Sequence, residues 1–81
     1  MSTNRYRIAS GEDLGRVVRD ARANRGLTQA EAVDVLGLTF DRTRLARIEA
    51  GAGFRSLDRA LSLLRRLGVE LYAEVEVRPE T

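Results

Sequence analysis

The sequence of 81 residues contains no cysteine, no histidine and no tryptophan, and only one proline. Without cysteine there is neither a disulfide framework nor a thiolate metal site, and without histidine the commonest metal ligand and general base are missing. Its carboxylates are scattered over positions with helical spacing, and no glycine-rich phosphate loop occurs. Catalysis, a metal and an organic cofactor are therefore not expected. Lysine is absent too, so all fourteen basic residues are arginine. No apolar run approaches the roughly 18 residues of a membrane span, and the opening Met-Ser-Thr-Asn-Arg lacks the apolar core of a secretory signal. A cytoplasmic protein with no membrane association is the expectation. A chain this short makes one domain, and with disulfides and metals excluded, oligomerisation is the natural way to enlarge its core.

What is present is mostly helical punctuation. Residues 1–9 read as an arm, in which Tyr6 and Ile8 alternate with Arg5 and Arg7. Ser10, with Asp13 three positions on, reads as the N-cap of a first helix whose Leu14, Val17, Val18 and Ala21 share one face. Gly26 closes it. Thr28 and Glu31 form a second capping box, opening a short helix that Gly37 ends. Thr39 or Asp41 caps a third helix that turns Leu45 and Ile48 inward and stops at Gly51. Ser56 is expected to cap a fourth, which repeats Leu57, Ala60, Leu61, Leu64 and Leu67 at helical spacing up to Gly68.

After Gly68 the period changes to two. Val69, Leu71, Ala73, Val75 and Val77 alternate with Glu70, Tyr72, Glu74 and Glu76, and Pro79 is expected to end this strand and leave a tail at 78–81. A lone alternating strand has an unsatisfied ladder. Its mate is either the 5–9 arm or the same strand of another copy, and two-fold symmetry supplies antiparallel self-pairing. The second option is the expectation, with room for the arm to add at an edge: 69–77 is a dimerisation strand with Val69, Leu71, Tyr72, Ala73, Val75 and Val77 at the seam, appended to a helical domain at 10–68.

Two short helices joined by a turn, the second bearing Arg42, Arg44 and Arg47, have the pattern of a helix-turn-helix. The arginine excess supports it. Residues 1–60 carry eleven arginines against eight acids, whereas 61–81 carry three against four. Guanidinium groups bind phosphate and guanine bidentately. Thr28 and Gln29 sit where a helix start suits phosphate, while Thr39, Asp41, Arg42, Thr43 and Arg44 are candidates to face base edges, with Arg47 nearer the DNA backbone. Phe40 reads as a core plug beneath the turn.

The run Arg22-Ala-Asn-Arg-Gly-Leu-Thr-Gln-Ala-Glu, then Leu36-Gly37-Leu38 and Arg47-Ile48-Glu49-Ala50-Gly51, resembles the Xre/Cro-type helix-turn-helix family of phage repressors. Ser56-Leu57 through Leu67-Gly68-Val69, followed by a terminal strand, is similar to the HipB-like antitoxins within it. The resemblance implies a mainly α, four- to five-helix lambda-repressor-like domain whose C-terminal strand pairs across a homodimer. It also implies contact with double-stranded DNA at a palindromic operator, with Gln29 among the contacts. A structural salt bridge between Arg22 and Glu49 and a HipA-type kinase toxin as partner follow from it as well. Two other readings stay open: a stand-alone Xre-type repressor, and a protein-interaction module that no longer reads DNA. The stretch from Gly37 to Glu49 is longer than the family's usual spacing, and Val33 replaces its usual small residue.

Overall fold

The computed structural model describes residues 2–77; the tail at 78–81, with Pro79, lies outside them. The described chain runs β1 (Ser2–Ile8), α1 (Gly11–Asn24), α2 (Gln29–Val35), α3 (Arg42–Glu49), α4 (Arg55–Arg66) and β2 (Leu71–Val77). The helices therefore number four, the lower of the two expected counts.

Three helix starts are decided by local chemistry. The Ser10 hydroxyl accepts from the Asp13 N–H at 3.3 Å, and the Asp13 carboxylate accepts from the Ala9 N–H at 2.8 Å, so the reciprocal bond falls one residue before the cap. At α2 both halves of the capping box form: Thr28 Oγ1 accepts from the Glu31 N–H at 3.1 Å, and Glu31 Oε1 accepts from the Thr28 N–H at 2.9 Å. Asp41, rather than Thr39, caps α3, its carboxylate accepting from the Arg44 N–H at 3.0 Å. The fourth start differs from expectation. Ser56 is not the N-cap; α4 begins at Arg55 after Phe54, with no side-chain cap. Tertiary packing takes over here. The Phe54 side chain lies so close over Gly11 that a Cβ there would collide with it, and the Asp58 carboxylate accepts from the Gly11 N–H of α1.

Two close approaches hold α1 against the end of α3. At Gly15 a Cβ would strike the carbonyl oxygens of Ile48 and Glu49. At Gly51, whose φ is +81°, a side chain would meet both backbone strain and the Glu12 Cα. The apolar residues buried among the described ones are Ile8, Ala32, Leu45 and Leu61. Leu57 and Leu64 are half-buried, whereas Leu63 and Leu67 are 58% and 67% exposed.

The arm is the larger correction. Its residues form a strand, longer than the 5–9 segment considered as a mate, paired antiparallel with β2 from Ser2 opposite Val77 to Ile8 opposite Leu71. The arm, the first of the two mates considered, thus pairs one edge of β2 within the chain, and β2 starts at Leu71, leaving Val69 and Glu70 in the connection from α4. Side chains explain the pairing. On one face Ile8 and Tyr6 stand beside Leu71 and Ala73; Ile8 is buried, and the Tyr6 hydroxyl donates to Asp20 of α1 at 2.8 Å. On the other face Arg5 lies opposite Glu74 and sits 4.1 Å over the Tyr72 ring, while Arg7 meets Glu70 at 3.2 Å. Opposite charges and a cation over an aromatic ring are favourable cross-strand pairs. Tyr72, expected at a dimer seam, is therefore occupied by Arg5 and by Glu70, to which its hydroxyl donates at 3.0 Å.

Candidate nucleic-acid interface

The geometry of α2, α3 and their connection is set by one polar cluster. Arg22 of α1 makes a bidentate pair with Glu49 of α3, Nε to Oε2 at 2.6 Å and Nη2 to Oε1 at 2.9 Å. Its remaining Nη1 donates to the Leu27 carbonyl at 2.7 Å, just before α2. Glu49 Oε1 also accepts from Gln29 Nε2, the first residue of α2, at 3.1 Å. One carboxylate thus links all three helices. The Glu49 side chain is 5% exposed and that of Arg22 17%. The guanidinium bond holds the Glu49 carboxyl below its ordinary range, opposed by burial and assisted by Gln29. The same bond raises Arg22.

Gln29 was expected at the DNA. It is half-buried and its amide is directed to Glu49, because that carboxylate has an acceptor position which the guanidinium leaves free. Thr28 is exposed, but its hydroxyl and its backbone N–H are both engaged by Glu31. The Glu31 carboxyl is lowered by those bonds to Thr28, the backbone one first.

The turn is closed by a glycine cap: Gly37, at φ +64°, donates to the Asp34 carbonyl at 3.3 Å and Leu38 to that of Val33 at 3.1 Å. The extra length beyond Gly37 turns Leu38 and Phe40 inward, both half-buried, and leaves Thr39 exposed. Phe40 joins Leu38, Leu45 and Ile48 along the underside of α3.

Asp41, Arg42, Thr43, Arg44 and Arg47 are all exposed. Among the described residues none of the three arginines is paired with a carboxylate. Asp41, Thr43, Arg44 and Arg47 line one hollow, whose far side is Ala52, Gly53 and Phe54 of the loop before α4. Arg42 is not in that group, as residues two apart on a helix diverge. The loop went unnoticed as part of the surface in the sequence, although Gly51-Ala52-Gly53, with both glycines at positive φ, marks a backbone able to approach a ligand closely.

A turn closed by glycine between two short helices, with unpaired arginines on the second, is helix-turn-helix geometry, and the model of the helix-turn-helix domain family matches residues 13–77. The chain belongs to that family. No curated protein and no solved structure matches the chain. Membership in the helix-turn-helix family gives the coarse function, DNA binding by a regulatory protein. The matched segment begins in α1 and reaches the end of β2, so the second strand is part of the family's domain while β1 precedes it. No helix among the described residues is long and apolar enough to cross a membrane.

Proposed function

We propose that this helix-turn-helix protein is a sequence-specific transcriptional repressor that reads a palindromic operator as a homodimer. The observation that carries the reading is the surface of α3: three exposed arginines free of carboxylate partners, on a helix fastened from behind by Arg22 and Glu49. In this reading α3 enters the major groove. Asp41, Arg42 and Thr43 on its first turn meet base edges, with Thr39 beside them. Arg44 and Arg47, sharing a hollow with the Gly53 loop, hold the DNA backbone. Thr28 and Gln29 stand at the start of α2, where Gln29 retains a carbonyl oxygen and a second N–H for a neighbouring phosphate or base. Two such helices spaced by one turn of DNA, ~34 Å, read the two half-sites. A gel-shift titration against the DNA upstream of the protein's own gene tests it. Preferential binding there over scrambled DNA is expected, and equal binding to both overturns the reading.

A HipB-like antitoxin role is the finer form of this proposal. It is supported by the resemblance of residues 56–69 and by a strand following them. Its test is a neighbouring gene encoding a HipA-type kinase whose product co-elutes with this protein. Without such a partner, the stand-alone Xre-type repressor is the better description.

A further inference from the structure

An open cleft of about 730 Å³ runs beneath α3, bordered by the inward Leu45 and Ile48 of that helix and by none of its arginines. Val17 and Ala21 of α1, Phe40 of the turn and Val75 of β2 add to its apolar lining. Of these six side chains only Leu45 is fully covered; the others are half-buried. A pocket of this size, apolar with a few charged groups at hand, is the ordinary form of a small-molecule site.

Four charged residues also border the cleft: Arg22, Arg25, Glu74 and Glu76. They do not cancel. The Arg22 guanidinium is engaged by Glu49 and by the Leu27 carbonyl. Glu74 and Glu76 share one face of β2, on either side of Val75. Neither is in a salt bridge among the described residues, and Arg5, opposite Glu74, lies over the Tyr72 ring instead. Two unpaired carboxylates therefore stand against one unpaired guanidinium, that of Arg25, in a protein whose formal net charge is +2. The cleft is an acidic spot on a basic chain.

We propose that this cleft binds a small apolar molecule carrying one positive charge, a hydrophobic amine or quaternary ammonium, and that the bound ligand tightens the hold of α3 on DNA. The apolar body meets Val17, Phe40 and Ile48, and the cation meets the carboxylates of Glu74 and Glu76. Complementary charge selects this occupant, since an apolar anion of the same shape would face two like charges. The effect on DNA follows from position. A ligand here adds contacts under Leu45 and Ile48 without touching the arginines, so it favours the placement of α3 already present. The site stands on its own observations, and only its effect on DNA rests on the proposed function. It requires the homodimer of that reading to leave the cleft open.

Two probes with a common apolar body and opposite charge test it: 1-adamantanemethylammonium and 1-adamantanecarboxylate. In titrations followed by methyl NMR, the cation should shift Val17, Leu45 and Val75 and bind about tenfold more tightly than the anion. The protein's net charge alone would give the opposite order. Replacing both carboxylates, Glu74→Gln with Glu76→Gln, should abolish the preference while circular dichroism reports an unchanged helix content. Ala21→Phe, which fills the cleft from α1, should weaken both probes; if it fails to fold, the double variant decides alone. At saturating cation the operator complex should tighten about fivefold or more by anisotropy, against ammonium chloride at the same concentration. The site is overturned if the anion binds as well as the cation or if the double variant keeps the preference. It is overturned equally if neither probe binds, as when a second copy covers the cleft. Control of DNA binding is overturned if the saturated protein holds operator no more tightly. A protein that takes the cation in the cleft but ignores operator DNA sinks the proposed function and spares the site, whereas operator binding without cation binding does the reverse.

Discussion

Glu49 concentrates more of the structure than any other side chain, because its two oxygens hold a guanidinium and an amide from two other helices. Truncating it leaves the Arg22 guanidinium largely buried and without its carboxylate. Glu49→Ala should therefore cost about 3 kcal/mol of folding free energy, the lower end for breaking a buried pair, because Arg22 keeps the Leu27 carbonyl and some solvent. Urea unfolding checks this, and a loss under about 1 kcal/mol would show the pair to be no stronger than a surface one. The pH dependence follows from the same residue. Glu49 is held below its ordinary range when folded, so at pH values between the two the unfolded chain binds more protons. Its contribution is complete above the ordinary carboxylate pKa of about 4.3 and declines as pH falls toward the lower folded value. In Glu49→Gln that contribution is gone, so melting temperature should fall less steeply on acidification than in the unmodified protein. Parallel curves for the two would contradict this assignment. Arg22 and Glu49 were readable as a pair from the family pattern, whereas the Gln29 bond was not, since it depends on the acceptor position that Glu49 Oε1 keeps beside the guanidinium.

At the scale of elements, legibility followed the range of the interactions involved. Ser10, Thr28 and Asp41 cap helices through bonds spanning three residues, and such patterns stand in the sequence itself. The start of α4 is set by Phe54 against Gly11 and by Asp58 reaching the Gly11 N–H, contacts between distant segments that no local pattern announces. The lengthened turn shows the same division, for its glycine cap is a local signal while the inward set of Leu38 and Phe40 is a packing outcome. For α3 the consequence is that its arginines separate into two groups, Arg44 and Arg47 facing the loop hollow and Arg42 apart. Arg44→Ala and Arg47→Ala should each weaken binding to all DNA sequences alike and reduce the magnitude of the salt slope by about one. Arg42→Ala should instead narrow the gap between operator and scrambled DNA, by about 1–3 kcal/mol if it reads a base bidentately. Anisotropy titrations over a range of salt concentrations separate the two outcomes. A uniform loss for Arg42→Ala would move that residue to the phosphate group.

The whole molecule is tied together at its two ends, and this was the least legible feature. Ser2-Thr3-Asn4 carries no strand signal, and the alternation of Tyr6 and Ile8 is too short to choose a mate, yet the pairing with β2 extends from Ser2 to Ile8. Long-range pairing of this kind is selected by what the finished fold buries: Ile8, 7% exposed, is one of only four buried apolar residues among the described ones. A domain of this size has roughly 4–12 kcal/mol of stability to lose. Ile8→Ala should remove about 2–4 kcal/mol of it, through lost burial and the cavity left behind. Leu63, 58% exposed on α4, provides the contrast, and Leu63→Ala should change stability little. In urea the midpoint for Ile8→Ala should drop well below that for Leu63→Ala with the slope unchanged, as expected if the sheet and helices unfold as one unit. Equal midpoints would mean that β1 frays independently of the helical domain, and that the sheet adds nothing to the support of α3.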